Sequence, residues 1–407
     1  MGYFARAVAE QKSGSVSDSL ELFREIYGGR ASKAGPTITL ENALKVATLF
    51  ACMREISQGG AQVPFKLFQR MENGGKEAAY DHPLYDLMAV QPNDWSSSFE
   101  FRETMLMHAS LGNAYAFINR GTGGKILELI LLNPGRVQKE QLDDYSIAYK
   151  VTGKSGATQM FPAEAIWHLR GPSWDGVSGI EILSIAREAL GLSIATEESH
   201  AKLHAKGVRP SGTYSVEKTL NPQQYKDLKA WVDKEFAGSE NSGTPMILDS
   251  GAKWLAQSMS GVDAQHLETR KHQIEEICRF MGVFPMIIFQ SDKTSTFASS
   301  ESFFEANNKL TLSRWFARVE GSANINLLSK KDRKAGLYFK FLANGLMRGS
   351  SKDRADYYSK ALGSGGSPGW MSPDEVRESE EMNPKGGDAA KLPPGSAKQP
   401  TPTPLPA

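Results

Sequence analysis

Two cysteines, a net charge of +1 and no apolar run long enough for a membrane define this 407-residue chain by what it lacks. Cys52 and Cys278 each fall on an apolar helical face, so they are expected as reduced core residues and not as a disulfide pair. That excludes the small secreted scaffolds held together by bridges. No stretch approaches the roughly 20 apolar residues that span a bilayer, and a mean hydropathy of −0.39 argues against an integral membrane protein. The N-terminal sequence MGYFARAVAE has neither the apolar core of a secretory signal nor the Ser/Thr of a myristoylation site, which fits a protein made in a reducing cytoplasm. Charge is the sharper constraint. Forty-seven basic residues face 46 acidic ones with no long block of either sign. A protein that grips DNA clusters Lys and Arg against phosphates, so this chain cannot hold DNA tightly as a monomer.

Catalytic equipment is missing as well. There is no GxSxG, no CxxC and no carboxylate pair in a telling context. His200 and His204 have a spacing that can bind metal, but no HExxH motif and no third ligand accompany them, so a solvated helix face is the better reading. Gly121–Lys125 has neither the glycine spacing nor the Ser/Thr of a phosphate loop and reads as a hairpin turn. Asp143-Asp144 and Glu380-Glu381 read as solvated turn or helix faces. No catalytic residue, metal site or cofactor follows from the sequence.

What is present is organised most sharply over residues 263–320. Asp263 suits a helix N-terminus, and Leu267, Ile274, Ile277, Cys278 and Met281 then recur on one face. Glu268, His272, Glu275 and Arg279 share the opposite face. Gly282 and Pro285 stop the helix. The Ser/Thr-rich stretch 290–299 has little to bury and is expected as a loop. A second helix follows, with Leu312, Phe316, Val319, Ala323 and Leu327 on one stripe.

The remainder reads as α+β. Residues 1–36 form a polar arm. From Thr37 a helix through Cys52 ends at Gly59-Gly60, and Val63–Phe68 alternates like an edge strand because of Pro64. Ser97 with Glu100 opens a helix by a capping box, and strands are expected at Tyr115–Asn119, Ile126–Leu132, Ile147–Val151 and Ile166–Leu169. Gly179–Lys206 predicts one long helix of roughly 40 Å, buried in its apolar first half. A small α/β insert, 207–260, carries a strand from Gly212, a helix opened by Asn221-Pro222-Gln223-Gln224, and strands at Met246–Leu248 and Trp254–Ala256. Then come a strand at Leu337–Leu342, a helix at Lys352–Leu362 and a last helix opened by Ser372-Pro373-Asp374-Glu375. From Asn383 the composition is too rich in Pro, Gly and Lys to offset ordering entropy.

Taken in order, these segments resemble the portal (head-to-tail connector) proteins of tailed bacteriophages, of the type common in phages with long non-contractile tails. The resemblance spans about Thr37 to Asn383. It is carried by NALKVATLFACMREISQGGAQVPFKLF, HPLYDLMAVQPN, LGNAYAFINR, GVSGIEILSIAREALGLSIATEESHAKLHAKGVRPSG, ETRKHQIEEICRFMGVFPMII and TSTFASSESFFEANNKLTLSRWFARVE. One departure is Val283-Phe284-Pro285, where relatives often carry two prolines. The resemblance implies a dodecameric ring at one capsid vertex, through which double-stranded DNA is packaged and later ejected. It implies contacts with the terminase large subunit, a head–tail adaptor, and the major capsid and scaffold proteins. No membrane and no catalysis are implied; the virion portal vertex is the expected location, after assembly in the host cytoplasm. The alternative function, a DNA-processing enzyme such as a nuclease, would need clustered carboxylates or a nucleophilic lysine, and neither is visible.

By the same resemblance, residues 1–36 are a flexible arm, 37–178 an α+β wing, 179–206 a first stem helix, 207–260 a clip and 261–285 a second stem helix. Residues 286–298 become a tunnel loop, 299–344 a long wing helix with its return strand, 345–382 a crown and 383–407 a disordered tail. Gln290, Ser291, Asp292, Lys293, Thr294, Ser295 and Thr296 would face DNA in that loop. Glu268, His272, Glu275 and Arg279 would face the channel, although helical phase alone also allows a subunit interface.

Overall fold

The computed structural model describes residues 30–71, 75–205, 212–215, 221–235, 253–256, 260–288, 303–343, 351–363, 368–380 and 382–393. Two compact units form, 1–341 and 342–407. In the first, β1 (Arg30–Ala31) and β2 (Thr37–Ile38) make a hairpin, followed by α1 (Leu40–Leu44), α2 (Ala47–Ala61), β3 (Phe65–Arg70), β4 (Lys76–Ala78), α3 (Pro83–Ala89) and α4 (Ser98–Ser110). Strands β5 (Asn113–Arg120), β6 (Ile126–Leu132), β7 (Val137–Gln141), β8 (Ile147–Thr152), β9 (Thr158–Pro162) and β10 (Ile166–Arg170) lead to α5 (Ile182–Ile185) and α6 (Arg187–Ala205). Next come β11 (Gly212–Ser215), α7 (Pro222–Glu235), β12 (Lys253–Ala256), α8 (Ser260–Met281), α9 (Ser313–Asn326), α10 (Lys330–Lys334) and β13 (Leu337–Phe341).

All named strand pairs are antiparallel, in the orders β13-β3-β4, β10-β5-β6, β7-β8-β9, β11-β12 and β1-β2. Strand β3 is central, not the edge its proline suggested. Pro64 lies one residue before the first paired position, Phe65 opposite Phe341, so no ladder bond is lost. The edge falls to β13, and helix side chains cover it: Asn324 Oδ1 accepts from Phe339 N at 2.7 Å and a Glu320 carboxylate oxygen from Phe341 N at 2.9 Å. Phe65, Phe339, Phe341 and Phe316 stack between this sheet and α9, with ring centroids 4.4–5.3 Å apart. The stripe foreseen on α9 is buried at all five of its positions.

Gly59 and Gly60 do not end α2, which continues to Ala61. They sit inside it so that neighbours can approach. A Cβ on Gly59 would stand 3.2 Å from the Leu312 methyls, and one on Gly60 only 2.4 Å from Leu106 Cδ1. The glycine pair is a packing device between α2 and two crossing helices.

The single long helix expected over 179–206 is interrupted. Residues 179–181 are not helical, and Ala186, with ψ near 4°, separates α5 from α6. Its apolar half is only partly buried: Ile182 and Leu190 are enclosed, whereas Ile185 and Leu192 remain 50% and 46% exposed. Helix α7 begins as foreseen, with Asn221 Oδ1 accepting from Gln224 N at 2.8 Å and Gln224 Oε1 accepting from Asn221 N at 3.0 Å. The strand expected at Met246–Leu248 lies outside the described residues. Helix α8 starts at Ser260, which moves Asp263 from the helix boundary to the first turn. No described helix is long and apolar enough to cross a membrane.

The second unit holds α11 (Ser351–Ala361) and α12 (Pro373–Ser379), the latter opened by the expected Ser372/Glu375 capping box. Local bonds hold the start of its tail. The Asp374 carboxylate accepts from both Lys385 N and Gly386 N at 2.8 Å, and Arg377 Nε donates to Asn383 O at 2.8 Å. Composition cannot register these local bonds, which fasten the start of the Pro-rich tail to α12; residues 394–407 lie outside the described residues. Replacing Asp374 by Ala should speed tryptic cleavage after Lys385 about tenfold, since two charge-assisted bonds are lost. An unchanged cleavage rate would show that the tail is held by something else.

Candidate functional site

The organised segment 263–320 is built on a helix pair and a fixed corner. Helices α6 and α8 pack together, with Ile277, Cys278 and Met281 buried. Gln273 is buried too and donates from Nε2 to Thr196 Oγ1 at 3.2 Å. The sequence reading missed Gln273 because it is polar. Its spacing of four from Ile277, and of eight from Met281, was the available signal. Arg270 and Glu197 make a 3.5 Å ion pair between the same helices, too exposed to contribute much.

Helix α8 ends as the Gly and Pro indicated. Gly282 has φ +67°, its N–H reaches Arg279 O at 3.3 Å, and Val283 N reaches Cys278 O at 3.1 Å. This is a Schellman ending, in which a left-handed glycine lets the last carbonyls be satisfied. A 3₁₀ turn, Pro285–Ile288, follows. The corner is then pinned from two sides. Thr311 Oγ1 donates to Gly282 O at 2.8 Å, and Asn307 Nδ2 donates to Glu55 Oε1 of α2 at 2.7 Å. Thr311 lies within a π-helical turn, Asn308–Leu312, that merges into α9. No sequence signal announced that turn.

Gln290, Ser291, Asp292, Lys293, Thr294, Ser295 and Thr296 lie outside the described residues. What the structure describes is both flanks of that segment, ending at residues 288 and 303. Glu268, His272, Glu275 and Arg279 are all exposed, as their helical phase required. Arg279 is turned back onto its own helix, paired with Glu275 at 3.0 Å and with Glu276. From 268 to 279, Glu268, Glu275 and Glu276 oppose Arg270, Lys271 and Arg279, so this stretch carries three charges of each sign. Such a surface presents no cluster of cations.

A buried polar group fixes where α5 and α6 depart from the sheets. Asn113 Oδ1 accepts from Gly179 N at 2.8 Å, which fixes the orientation of that amide. The same oxygen lies 2.9 Å from His168 Nε2, so Nε2 carries the proton and Nδ1 accepts from Tyr149 OH at 3.0 Å. Burial, then the nearby Arg170 and Lys139, holds the His168 pKa down at about 3. The folded imidazole therefore stays neutral where an unfolded one, near 6.5, binds a proton. Stability is full above about pH 6.5 and declines as pH falls toward 3, by up to about 1.4 kcal/mol per pH unit. Urea unfolding at pH 7 and pH 5 should show this loss, and His168→Gln should reduce it, leaving the part due to His108, whose pKa burial lowers to about 4.

The phage portal protein family model matches residues 47–381. This chain belongs to the phage portal protein family. It is 29% identical to the portal protein of Enterobacteria phage HK97 over 362 residues, 87% of this chain and 83% of that one. It is 28% identical to the probable portal protein of Streptomyces phage phiC31 over 368 residues, covering 88% and 79% respectively. In fold it is similar to a chain from the neck of a native gene transfer agent particle computed with C12 symmetry. The TM-score is 0.56 and the identity 22%, over 93% of this chain and 99% of that chain. Membership places the α+β chain in a family of structural proteins of phage particles, which does not favour a DNA-processing enzyme such as a nuclease.

Proposed function

We propose that this portal-family chain assembles head to tail into a twelve-membered ring at one capsid vertex and serves as a conduit for double-stranded DNA. The family match over residues 47–381 carries the reading. The twelvefold symmetry of the similar neck chain supports the subunit number. Heterologous contacts close into a ring when the rotation between subunits closes, and side-by-side helices suit such contacts.

In this reading residues 37–178 are the wing, 179–206 and 261–285 the stem, 207–260 the clip, 286–298 the tunnel loop, 299–344 the wing helix with its return strand, and 345–382 the crown. The clip meets the terminase large subunit during packaging and the head–tail adaptor afterwards. The outer surface meets the major capsid and scaffold proteins. ATP hydrolysis belongs to the packaging motor, and the ring itself performs no catalysis. Assembly takes place in the host cytoplasm, and the mature location is the virion.

The balanced charge of 268–279 is the feature that suits a passage: DNA slides where no cation cluster holds it. The exposed positions Glu268 and His272 test the lumen assignment. Changing both to Lys should leave ring assembly intact, raise duplex affinity and steepen its salt dependence. Loss of rings with unchanged DNA affinity would place these side chains at the subunit interface instead.

A further inference from the structure

Helices α2 and α8 meet at the only two cysteines of the chain. Cys52 Sγ and Cys278 Sγ lie 3.8 Å apart, and both side chains are buried, at 0% and 1% exposure. They are separated by 226 positions in sequence, so only the fold brings them together. A disulfide needs about 2.05 Å between sulfurs. Closing the bridge therefore requires the sulfurs to approach by a further ~1.8 Å. The place is mechanically notable as well. Cys278 O receives the Val283 N–H that closes the Schellman ending, and Glu55, one turn from Cys52, holds Asn307.

We propose that Cys52 and Cys278 are an oxidisable thiol pair, closed by hydrogen peroxide to a disulfide that joins the end of α8 to α2. The two sulfurs share a hydrogen bond. That bond, then burial, raises the Cys52 pKa, and the same bond lowers that of Cys278. In this proposal Cys278 attacks peroxide as its thiolate, forming Cys278–SOH and releasing hydroxide. The Cys52 sulfur then displaces hydroxide from the sulfenic sulfur, and its thiol proton leaves as water. In sum, two thiols and one peroxide give one disulfide and two waters. Burial keeps a bulky oxidant such as glutathione disulfide away from the pair. In the reducing host cytoplasm the pair stays open. Resting on the portal reading, the pair closes once the particle leaves the cell and meets an oxidant, and it then ties the end of a stem helix to the wing.

The test uses the full-length protein, reduced and then freed of reductant. After peroxide treatment, remaining thiols are alkylated and unreduced tryptic peptides are mapped by mass spectrometry. The expected product is a Cys52–Cys278 peptide pair, two hydrogens lighter than its parts, in a chain that still migrates as a monomer without reductant. The midpoint of thermal unfolding should rise by about 5 °C, because the cross-link closes a long loop in the unfolded chain. Dithiothreitol should reverse both effects, and Cys278→Ala should remove them. Two alkylated thiols, sulfinic or sulfonic acids alone, or a link between chains would each overturn the proposal. The oxidised and reduced wild-type proteins decide the matter even if the variant fails to fold. The link is read within one chain, so its failure leaves the portal reading standing, and that reading is tested separately by imaging the assembly.

Discussion

Gly179→Ala is expected to lower the unfolding free energy by about 3 kcal/mol, the upper end of what overpacking costs. A Cβ there would lie 1.8 Å from Gly112 O, a backbone atom that cannot swing aside as a leucine methyl can. Both partners are fixed. Gly112 sits at φ +142°, its carbonyl accepts from Gly171 N at 2.7 Å, and Gly179 N is held by Asn113. Ile182 N reaches Leu111 O at 3.1 Å, so a displaced residue 179 would drag the start of α5 with it. Gly321 provides the control. It lies exposed in α9 with nothing within 4 Å of an added Cβ, so Gly321→Ala should stabilise by roughly 0.5–1 kcal/mol through helix propensity. Urea unfolding of the two variants should move in opposite directions. Equal shifts would mean that the junction of Gly112, Gly171 and Gly179 yields more easily than its bonds suggest.

Removing residues 290–296 should abolish DNA packaging while leaving ring assembly intact. The segment carries one acidic and one basic residue, Asp292 and Lys293, among polar neighbours, and so has little with which to grip phosphate. Its flank at 282–288 is held independently, by the Schellman ending and by Thr311. Shortening the segment therefore need not disturb the helices, and the loss should appear as a failure to protect genomic DNA from nuclease in a complementation assay. Loss of ring assembly instead would mean that these residues build the subunit contact rather than a loop around DNA.

Periodicity made the helices readable, because a stripe such as Leu312, Phe316, Val319, Ala323 and Leu327 exists only if the segment is helical and packed on one side. Capping boxes at Ser97, Asn221 and Ser372 were equally plain, since their bonds close within four residues. What stayed hidden depends on contacts between distant segments. Gly59-Gly60 looks like a helix stop until Leu106 and Leu312 are seen beside it. Pro64 looks like an edge marker until the register shows pairing to begin at Phe65. The burial of Gln273 needs Thr196, and the closeness of the cysteines needs two helices far apart in sequence. At the candidate site, the exposure of Glu268, His272, Glu275 and Arg279 was legible from phase. The return of Arg279 onto Glu275 was not, because rotamers are settled by local charge and not by pattern.

The central claim is tested most directly by imaging the purified full-length protein in negative stain, with native mass spectrometry of the same sample across a range of salt. A closed ring of twelve chains with a central hole of roughly duplex width, about 20 Å or slightly more, is the expected result. Monomers or twofold dimers alone, at every salt concentration, would contradict the assignment of this chain as a conduit.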